Sequence, residues 1–360
     1  MTVLSVLVPG RNEEFMPNTV ANVLAHAEAD TEVIAVLDGF EIDLPAHPRL
    51  RVLRNKEAVG QRAATNQAAR ESTAKFVMKL DAHCAVDQGF DVKLIADLEP
   101  HPDWTMIPQM RNLHAFSWRC KTCGNEEYMG PVPTKCVKSD RRGHAMPDWK
   151  CPGTQFDKVV KWKPRGGTRT DFWRFDHELH FDYRHGYQGA WEGKGENAGN
   201  ITDTMTFIGA CWITSRDRYW ELGGCDEAHG SWGQMGTEIS CKTWLSGGRL
   251  VVNKATWFAH MFRTRESFSF PYPMRHGAQE KAREYSRELW LNDAWPGQKR
   301  PLEWLIDKFA PLKGWDVKES DGKIVRRPSW HDSECAGNLK RLRESASRFR
   351  RGEKYIPGPK

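Results

Sequence analysis

Residues 76–83 decide the fold, and they read Phe-Val-Met-Lys-Leu-Asp-Ala-His. The run from Lys75 to Leu80 is short and mostly apolar, which predicts a buried β-strand. An acid and a histidine follow this strand at once, two residues apart, so Asp81 and His83 can point into one crevice. A simple surface turn or cap is the alternative for such residues at a strand end.

Strands and helices alternate on both sides of this stretch. The pattern of residues 1–110 predicts strand Val3–Val8, helix Asn18–Ala29, strand Glu32–Leu37, strand Arg51–Arg54, helix Gln61–Ser72, strand Lys75–Leu80 and a helix ending near Leu98. This alternation is typical of an α/β fold with a mostly parallel sheet flanked by helices. Ligands of such sheets bind at the carboxyl ends of the strands, which is where Asp38-Gly39 and Asp81-Ala82-His83 fall.

The later chain divides into segments of different character. Order returns after residue 204, with strands predicted at Met205–Thr214, Arg249–Val252 and Thr256–His260 and helices at Arg216–Leu222, Glu238–Leu245, Gln279–Leu291 and Asn338–Arg350. We therefore expect two halves of one α/β domain at 1–110 and 201–265, a cysteine-rich insertion at 111–200 and a basic, partly helical extension at 266–360.

Asp81 and His83 form a candidate metal site. A carboxylate with an imidazole suits a borderline divalent ion such as manganese better than it suits calcium. An ion held there would bridge a diphosphate and stabilise the charge that develops when the diphosphate leaves.

Several segments, in order along the chain, resemble the nucleotide-sugar core of glycosyltransferases with the GT-A fold. The resemblance is greatest to the polypeptide N-acetylgalactosaminyltransferases and their family-two relatives, and it covers about residues 3–110 and 203–263. The segments that carry it are Val8–Glu14, Val36–Gly39, Gly60–Ala69, Phe76–Cys84, Gly223–Glu227, Trp232–Ser240 and Phe258–Arg263.

The resemblance implies a Rossmann-like GT-A fold, a UDP-sugar donor and transfer of a hexose or N-acetylhexosamine. It also implies roles on the donor side. Manganese would be held by Asp81, His83 and His260. Uridine would be held by Asp38 and by the backbone near Pro9 and Arg11, and Arg62 stands one position from the family's nucleotide-contacting arginine.

On the acceptor side, Glu238 matches the second of two acids in the family's motif, and Met235 replaces the first. Glu238 is also where inverting relatives place a general base, while a carboxylate that simply favours a helix N-terminus is the structural alternative. Trp232 lies in a glycine-flanked loop that would close over the donor. Retention and inversion of configuration both stay open.

Four of the nine cysteines fall within residues 120–151. Cys120 and Cys123 have the Cys-x-x-Cys-Gly form of a zinc knuckle, and Cys136 with Cys151 would complete a structural zinc site, with His144 as the substitute ligand. A redox pair is the competing interpretation. The other cysteines are interpreted as packing residues: Cys84, Cys211, Cys225, Cys241 and Cys335.

The formal charge of +6 is concentrated in two places. Residues 296–360 contain 16 basic and 9 acidic residues, and residues 114–151 contain 7 and 4. In the insertion, basic residues alternate with aromatic ones, as in surfaces that follow phosphates and stack bases. An ordinary solvated surface with tryptophans packed beneath it is the alternative. The residues concerned are Trp118, Arg119, Arg141, Arg142, Trp149, Lys150, Lys158, Lys161, Trp162, Lys163, Arg165 and Arg169.

No apolar run approaches the roughly 20 residues that span a bilayer, and the N-terminal run ends at Pro9 without a basic start. We therefore expect a cytoplasmic protein with no membrane partner, in the host cytoplasm if it is phage-encoded. The best acceptor hypothesis is a hydroxymethylated base in phage-type DNA. Transfer to protein Ser/Thr or to a cell-wall polymer is the enzymatic alternative. A non-catalytic zinc protein that binds nucleic acid on a glycosyltransferase fold is the alternative of another class.

Overall fold

A central sheet of parallel strands organises the first hundred residues. The computed structural model describes residues 2–138, 146, 149–182, 199–263, 270–271, 277–310, 317–318 and 324–325. The predicted His144, Cys335, Arg141 and Arg142 and the helix Asn338–Arg350 lie outside the described residues.

The strands are β1 (Leu4–Gly10), β2 (Thr31–Asp38), β3 (Leu50–Asn55), β4 (Phe76–Leu80), β5 (Cys84–Val86), β6 (Trp104–Cys120), β7 (Glu126–Tyr128), β8 (Phe156–Pro164), β9 (Arg174–Phe175), β10 (Phe181–Asp182), β11 (Ile201–Asp203), β12 (Cys211–Ser215), β13 (Arg249–His260), β14 (Val317–Lys318) and β15 (Ile324–Val325). The helices of the described residues are α1 (Met16–His26), α2 (Gln61–Glu71), α3 (Phe90–Leu98), α4 (Arg216–Glu221), α5 (Met235–Leu245), α6 (Ala278–Trp290) and α7 (Leu302–Phe309), and a 3₁₀ turn lies at Glu227–His229.

The main sheet has the strand order β11-β13-β6-β12-β4-β1-β2-β3. Strands β3, β2, β1 and β4 run parallel, and β12 is antiparallel between β4 and β6. The predicted α/β class is confirmed, and every helix and strand predicted up to Leu98 is present, with ends that differ by three residues or fewer. Because β1, β2 and β4 are parallel and adjacent, their carboxyl ends meet at one edge of the sheet.

Strand β6 departs most from the sequence analysis. Its 17 residues pair with β13 over the first half and with β8 and β7 over the second half. The predicted boundary at residue 110 therefore falls inside a strand, so the cysteine-rich segment continues from the main sheet without a linker. Most of β6 is buried on both faces, which removes the polar–apolar alternation that reveals a strand in sequence.

Three other differences lie in the second half of the chain. The predicted strand at Met205–Thr214 forms only over Cys211–Ser215, and the two strands predicted within 249–260 are one strand, β13, whose register shifts between Asn253 and Trp257. Helices α6 and α7, in the predicted extension, contribute Trp290, Leu305 and Phe309 to the main core. Among the described residues, no helix is both long and apolar enough to cross a membrane.

A second, smaller core lies between the β6–β8 hairpin and the edge of the main sheet. It combines side chains from the residue before α1, from β5, from the second half of β6, from the residue after β7 and from the end of β13. Its buried members are Phe15, Ala85, Leu113, Ala115, Phe116, Met129, Ala259 and Met261.

Candidate functional site

The carboxyl ends of β1, β2 and β4 open into a cavity of about 980 Å³. The loop before α5 and the end of β13 close its other sides. Most of the predicted donor-side residues line it: Pro9, Arg11, Asp38, Asp81, His83, Trp232 and His260. The described part of the chain thus brings together residues that are up to 251 positions apart.

Three potential metal ligands converge on the cavity wall. Asp81, His83 and His260 each offer an atom within 4.8 Å of the others. His83 Nε2 lies 3.1 Å from His260 Nε2, and His260 Nε2 lies 3.4 Å from Asp81 Oδ2. Their side chains are 12–17% exposed, so all three can reach a ligand in the cavity.

Glu13 fixes the orientation of His83. Its Oε2 lies 3.0 Å from His83 Nδ1, and Arg263 Nη2 donates to the same carboxylate at 2.9 Å. A carboxylate only accepts, so Nδ1 carries the proton and Nε2 keeps its lone pair for a metal. Burial would raise the pKa of Glu13, but His83 and Arg263 outweigh it and lower the pKa. Glu13 lies in the segment Val8–Glu14, but no role was predicted for it from the sequence.

Lys79 is a second contributor that the sequence analysis missed. Its side chain is fully buried, and Nζ contacts the Asp81 carboxylate and donates to the Gly209 carbonyl at 2.8 Å. Burial would raise the pKa of Asp81, but the Lys79 ammonium and the hydrogen bond from His260 lower it well below its usual range. A lysine within an apolar strand, two residues before an acid on the same face, was the available signal.

The donor set fits a divalent transition ion. One carboxylate and two imidazoles suit manganese or zinc better than calcium. Burial lowers the pKa of His260 to about 4, against the attraction of Asp81, so its ring is neutral at pH 7, the form that binds a metal. Gln61 Nε2 donates to Asp81 Oδ1 at 2.8 Å. The other carboxylate oxygen, Oδ2, faces His260.

Asp38 lines the cavity, but both oxygens of its carboxylate accept hydrogen bonds from the backbone. Oδ1 accepts from the backbone N–H of Val59 at 2.8 Å, and Oδ2 accepts from that of Gly60 at 2.9 Å. These bonds fix the loop that leads into α2. Gly60 has φ +99°, which a residue with a side chain rarely adopts.

Arg62 and Glu238 lie away from the cavity, and each binds the other. Arg62 does not line the cavity; its Nε donates to Glu238 Oε2 at 2.7 Å, and the two side chains are 1% and 0% exposed. The second Glu238 oxygen accepts from Lys242 Nζ at 2.8 Å and from the Asp226 N–H. Burial opposes ionisation of Glu238, but Lys242 and Arg62 outweigh it and lower its pKa to about 2. With both oxygens occupied away from the cavity, Glu238 cannot take a proton from an acceptor hydroxyl.

The Arg62–Glu238 pair instead holds the loop that carries Trp232. Arg62 donates to the carbonyls of Gly230 at 3.2 Å and Gly233 at 2.6 Å, one on each side of the exposed Ser231. The Gln61 N–H donates to the Ser231 carbonyl at 3.3 Å. Trp232 stays at the cavity wall, in edge contact with Phe270.

The four predicted zinc ligands also come together. The Sγ atoms of Cys120, Cys123, Cys136 and Cys151 lie within 4.8 Å of one another, and all four are free thiols. Four thiolates are the donor set of structural zinc. This cluster lies at the far end of the β6–β8 hairpin, apart from the cavity.

Ion pairs hold two of the basic side chains predicted for this surface, Lys158 and Lys161, and the neighbouring Lys121. Lys158 binds Glu14, Lys161 binds Glu126 and Lys121 binds Asp157, at 2.7–3.3 Å. Trp118 and Trp162 pack against the second core. The described residues of this segment therefore fit the alternative of a solvated surface with tryptophans beneath it.

Comparison with known proteins agrees with this architecture. Residues 5–118, from β1 to β6, match the family described as Glycosyl transferase family 2. This match to the family 2 domain model covers less than half of the chain. A solved structure of GalNAc-T7 with UDP, GalNAc and Mn2+ covers 96% of this chain at 16% identity with a TM-score of 0.56, which shows the GT-A fold that the resemblance implied.

Curated relatives extend the similarity beyond the family 2 domain. The putative polypeptide N-acetylgalactosaminyltransferase 13 of Drosophila melanogaster is 23% identical over 288 residues, which are 74% of this chain and 43% of the relative. The human polypeptide N-acetylgalactosaminyltransferase 3 is 22% identical over 307 residues, 80% of this chain and 41% of the relative. The chain thus spans less than half the length of these relatives, and 55% of the GalNAc-T7 chain.

Proposed function

We propose that this chain is a metal-dependent glycosyltransferase that moves a hexose or N-acetylhexosamine from a UDP-sugar to a hydroxyl group. The observation that carries the proposal is the convergence of Asp81, His83 and His260 on the cavity at the carboxyl ends of the parallel strands. That edge is where α/β sheets bind nucleotides. The family 2 domain and the GT-A fold support the same reaction class.

Manganese bound to these three residues would supply positive charge to the departing diphosphate. The chain's own residues prepare the site for it. Lys79 keeps Asp81 ionised, Glu13 holds the proton of His83 on Nδ1, and burial keeps His260 neutral. Asp38, Pro9 and Arg11 line the part of the cavity proposed for uridine, and Trp232 is proposed to exclude water from the donor.

We also propose retention of configuration. Inversion needs a carboxylate that can accept a proton from the acceptor, and Glu238, the residue considered for that role, is enclosed by Arg62 and Lys242. Retention is the outcome that needs no such base.

For the acceptor, we favour a polypeptide hydroxyl over a DNA base. The names of the relatives describe transfer to polypeptides, and two of the lysines considered for phosphate contacts, Lys158 and Lys161, are ion-paired. The four cysteines are proposed to hold structural zinc, separate from the donor cation. A cytoplasmic location remains a proposal.

One experiment tests reaction and acceptor together. The protein is incubated with a panel of UDP-sugars, with and without Mn²⁺, with a Ser/Thr-rich peptide mixture or with hydroxymethylated duplex DNA, and both acceptors are analysed by mass spectrometry. We expect Mn²⁺-dependent release of UDP and a sugar mass on peptide, and Asp81→Asn serves as the inactive control. Sugar on DNA would replace the polypeptide acceptor by the DNA base. Absence of metal-dependent turnover with every UDP-sugar would overturn the enzyme proposal in favour of a non-catalytic binding protein.

A further inference from the structure

The four cysteines lie at the spacing that a tetrahedral metal site requires. Cys123 Sγ lies 3.6 Å from Cys136 Sγ, and Cys120 Sγ lies 3.9 Å from Cys151 Sγ. Four sulfurs bound to zinc at about 2.3 Å in tetrahedral geometry are about 3.8 Å apart. A disulfide would instead bring two sulfurs to about 2.05 Å.

Hydrogen-bond donors surround the sulfurs, as expected for thiolates. The Gly153 N–H donates to Cys151 Sγ at 3.4 Å, and Trp149 Nε1 donates to Cys136 Sγ at 3.4 Å. A Cβ at Gly153 would lie 2.4 Å from Cys120 Sγ, so the close approach of this backbone requires glycine. Such donors around the ligands are typical of a metal site's outer shell.

The cluster sits at the tip of the hairpin, and the hairpin leads back to the donor cavity. Cys120 ends β6 opposite Phe156 of β8, and two residues nearer the cavity Trp118 is opposite Lys158. Lys158 Nζ donates to Glu14 at 2.9 Å and lies over the rings of Phe15 and Phe116.

The second core then joins the hairpin to the cation site. Phe15 stacks on Phe116, with ring centroids 5.7 Å apart, and it follows Glu13, the partner of His83, by two residues. Ala259 and Met261 of the same core flank His260 on both sides. Residues close in sequence to Glu13 and to His260 therefore pack against the hairpin.

We infer that Cys120, Cys123, Cys136 and Cys151 hold one zinc ion that fixes the β6–β8 hairpin, and that the hairpin in turn supports the geometry of the Asp81, His83 and His260 cation site. The part about the zinc ion is independent of the proposed function, and the part about the cation site rests on it. Zinc occupancy should therefore govern Mn²⁺ affinity without zinc taking part in transfer.

The first test counts zinc by mass spectrometry of the metal in protein purified under reducing conditions. Asp81→Asn is the background, because the donor site could itself bind zinc. We expect one zinc per chain in Asp81→Asn and in Asp81→Asn with Cys241→Ala, a buried cysteine elsewhere, and almost none with Cys123→Ser. No zinc in the background, or equal zinc with Cys123→Ser, would overturn the zinc site.

The second test measures Mn²⁺ affinity by the paramagnetic resonance signal of free Mn²⁺, with UDP present and Asp81 intact. Cys123→Ser should weaken Mn²⁺ binding about tenfold, in the range found when outer-shell support is lost, while Cys241→Ala should not. Lys158→Met keeps all four thiols, so it should retain zinc and weaken Mn²⁺ binding by a smaller factor. If the wild type holds zinc and both Cys123→Ser and Lys158→Met bind Mn²⁺ with the wild-type affinity, the link between the two sites is overturned. If the wild type holds zinc but binds no Mn²⁺, the link and the proposed function both fail and the zinc site stands.

Discussion

Among the described residues, two clusters combine a carboxylate, a histidine and a lysine, and one of the two faces the cavity. The first is the donor cluster, in which Asp81, His83 and His260 line the cavity with Lys79 behind them. Asp81 keeps one oxygen near the two imidazoles, and each side chain retains some exposure. This arrangement leaves coordination positions available to an incoming cation.

The second is the loop cluster, formed by Arg62, Glu238, Lys242 and His229. All four side chains are buried, and both oxygens of Glu238 accept hydrogen bonds within the protein. The same residue types therefore hold a loop in one place and offer ligands in the other. What separates the two roles is whether a lone pair is left free toward the cavity.

Replacing Asp81 tests the donor cluster most severely. Asp81→Asn removes the only carboxylate of the three ligands, and a metal's charge stabilisation is worth several kcal/mol. We expect kcat/KM for the UDP-sugar to fall at least about 1,000-fold, which corresponds to about 4 kcal/mol. Fixed-time assays of UDP release at saturating Mn²⁺ measure this loss in kcat/KM. A loss below tenfold would show that Asp81 is not a ligand of an essential ion.

Replacing Glu238 tests the loop cluster. Glu238→Gln leaves Arg62 and Lys242 buried without their counter-charge, so we expect a loss of about 3 kcal/mol in the free energy of unfolding. Urea denaturation measures it, and the exposed Glu227→Gln is the control, with an expected change below about 0.5 kcal/mol.

The kinetics of the same variant separate a structural role from a catalytic one. The folded Glu238→Gln protein should keep the wild-type pH dependence of kcat/KM, because the carboxylate is not a proton acceptor. If Glu238→Gln loses the acidic limb of the kcat/KM profile, Glu238 acts as a general base, and the loop cluster then has a catalytic role as the donor cluster does.

Replacing Glu13, which orients His83, tests the donor cluster with a smaller expected effect than replacing Asp81. Glu13→Gln keeps the shape but weakens the bond that holds the Nδ1 proton, so we expect Mn²⁺ affinity to fall about 10- to 100-fold. The exposed Glu41→Gln should leave it unchanged. Calorimetric titration with Mn²⁺ in the presence of UDP measures both, and equal affinities would mean that Glu13 does not orient His83.

Much of the donor cluster could be predicted because its signals are local. The alternation of strands and helices up to Leu98 follows from periodicity, and Asp81 and His83 come directly after a buried strand. His260 entered through the resemblance, and the four cysteines through their spacing. The Lys79 signal was also local, since a lysine in a buried strand requires a nearby counter-charge.

The loop cluster could not be predicted in the same way. Arg62 and Glu238 are 176 positions apart, and only the folded structure shows that they form a hydrogen bond with each other. The Glu238–Lys242 spacing of four residues was a visible hint of an ion pair. For Glu13, the role depends on the placement of α1 beside the loop after β4, which sequence patterns do not specify.

The smallest expected effect concerns the loop cluster and the pH dependence of the free energy of unfolding. His229 is buried among Glu238, Arg62, Asp226, Lys242 and Tyr285, and its Nε2 lies 3.0 Å from Ser286 Oγ. Burial, which outweighs the attraction of Glu238, lowers the pKa of His229 to about 4.

The folded protein therefore binds a proton at His229 less readily than the unfolded chain, whose histidine titrates near pH 6.5. Stability from this residue is fully present above that pH and is lost as the pH falls toward 4. Between pH 7 and pH 5 we expect the wild type to lose about 1–2 kcal/mol more than His229→Gln, measured by urea denaturation at both pH values. The difference between the two proteins cancels the other acid-sensitive groups. Equal losses would mean that His229 takes up a proton in the folded state over the same pH range as in the unfolded chain, so that burial does not suppress its titration.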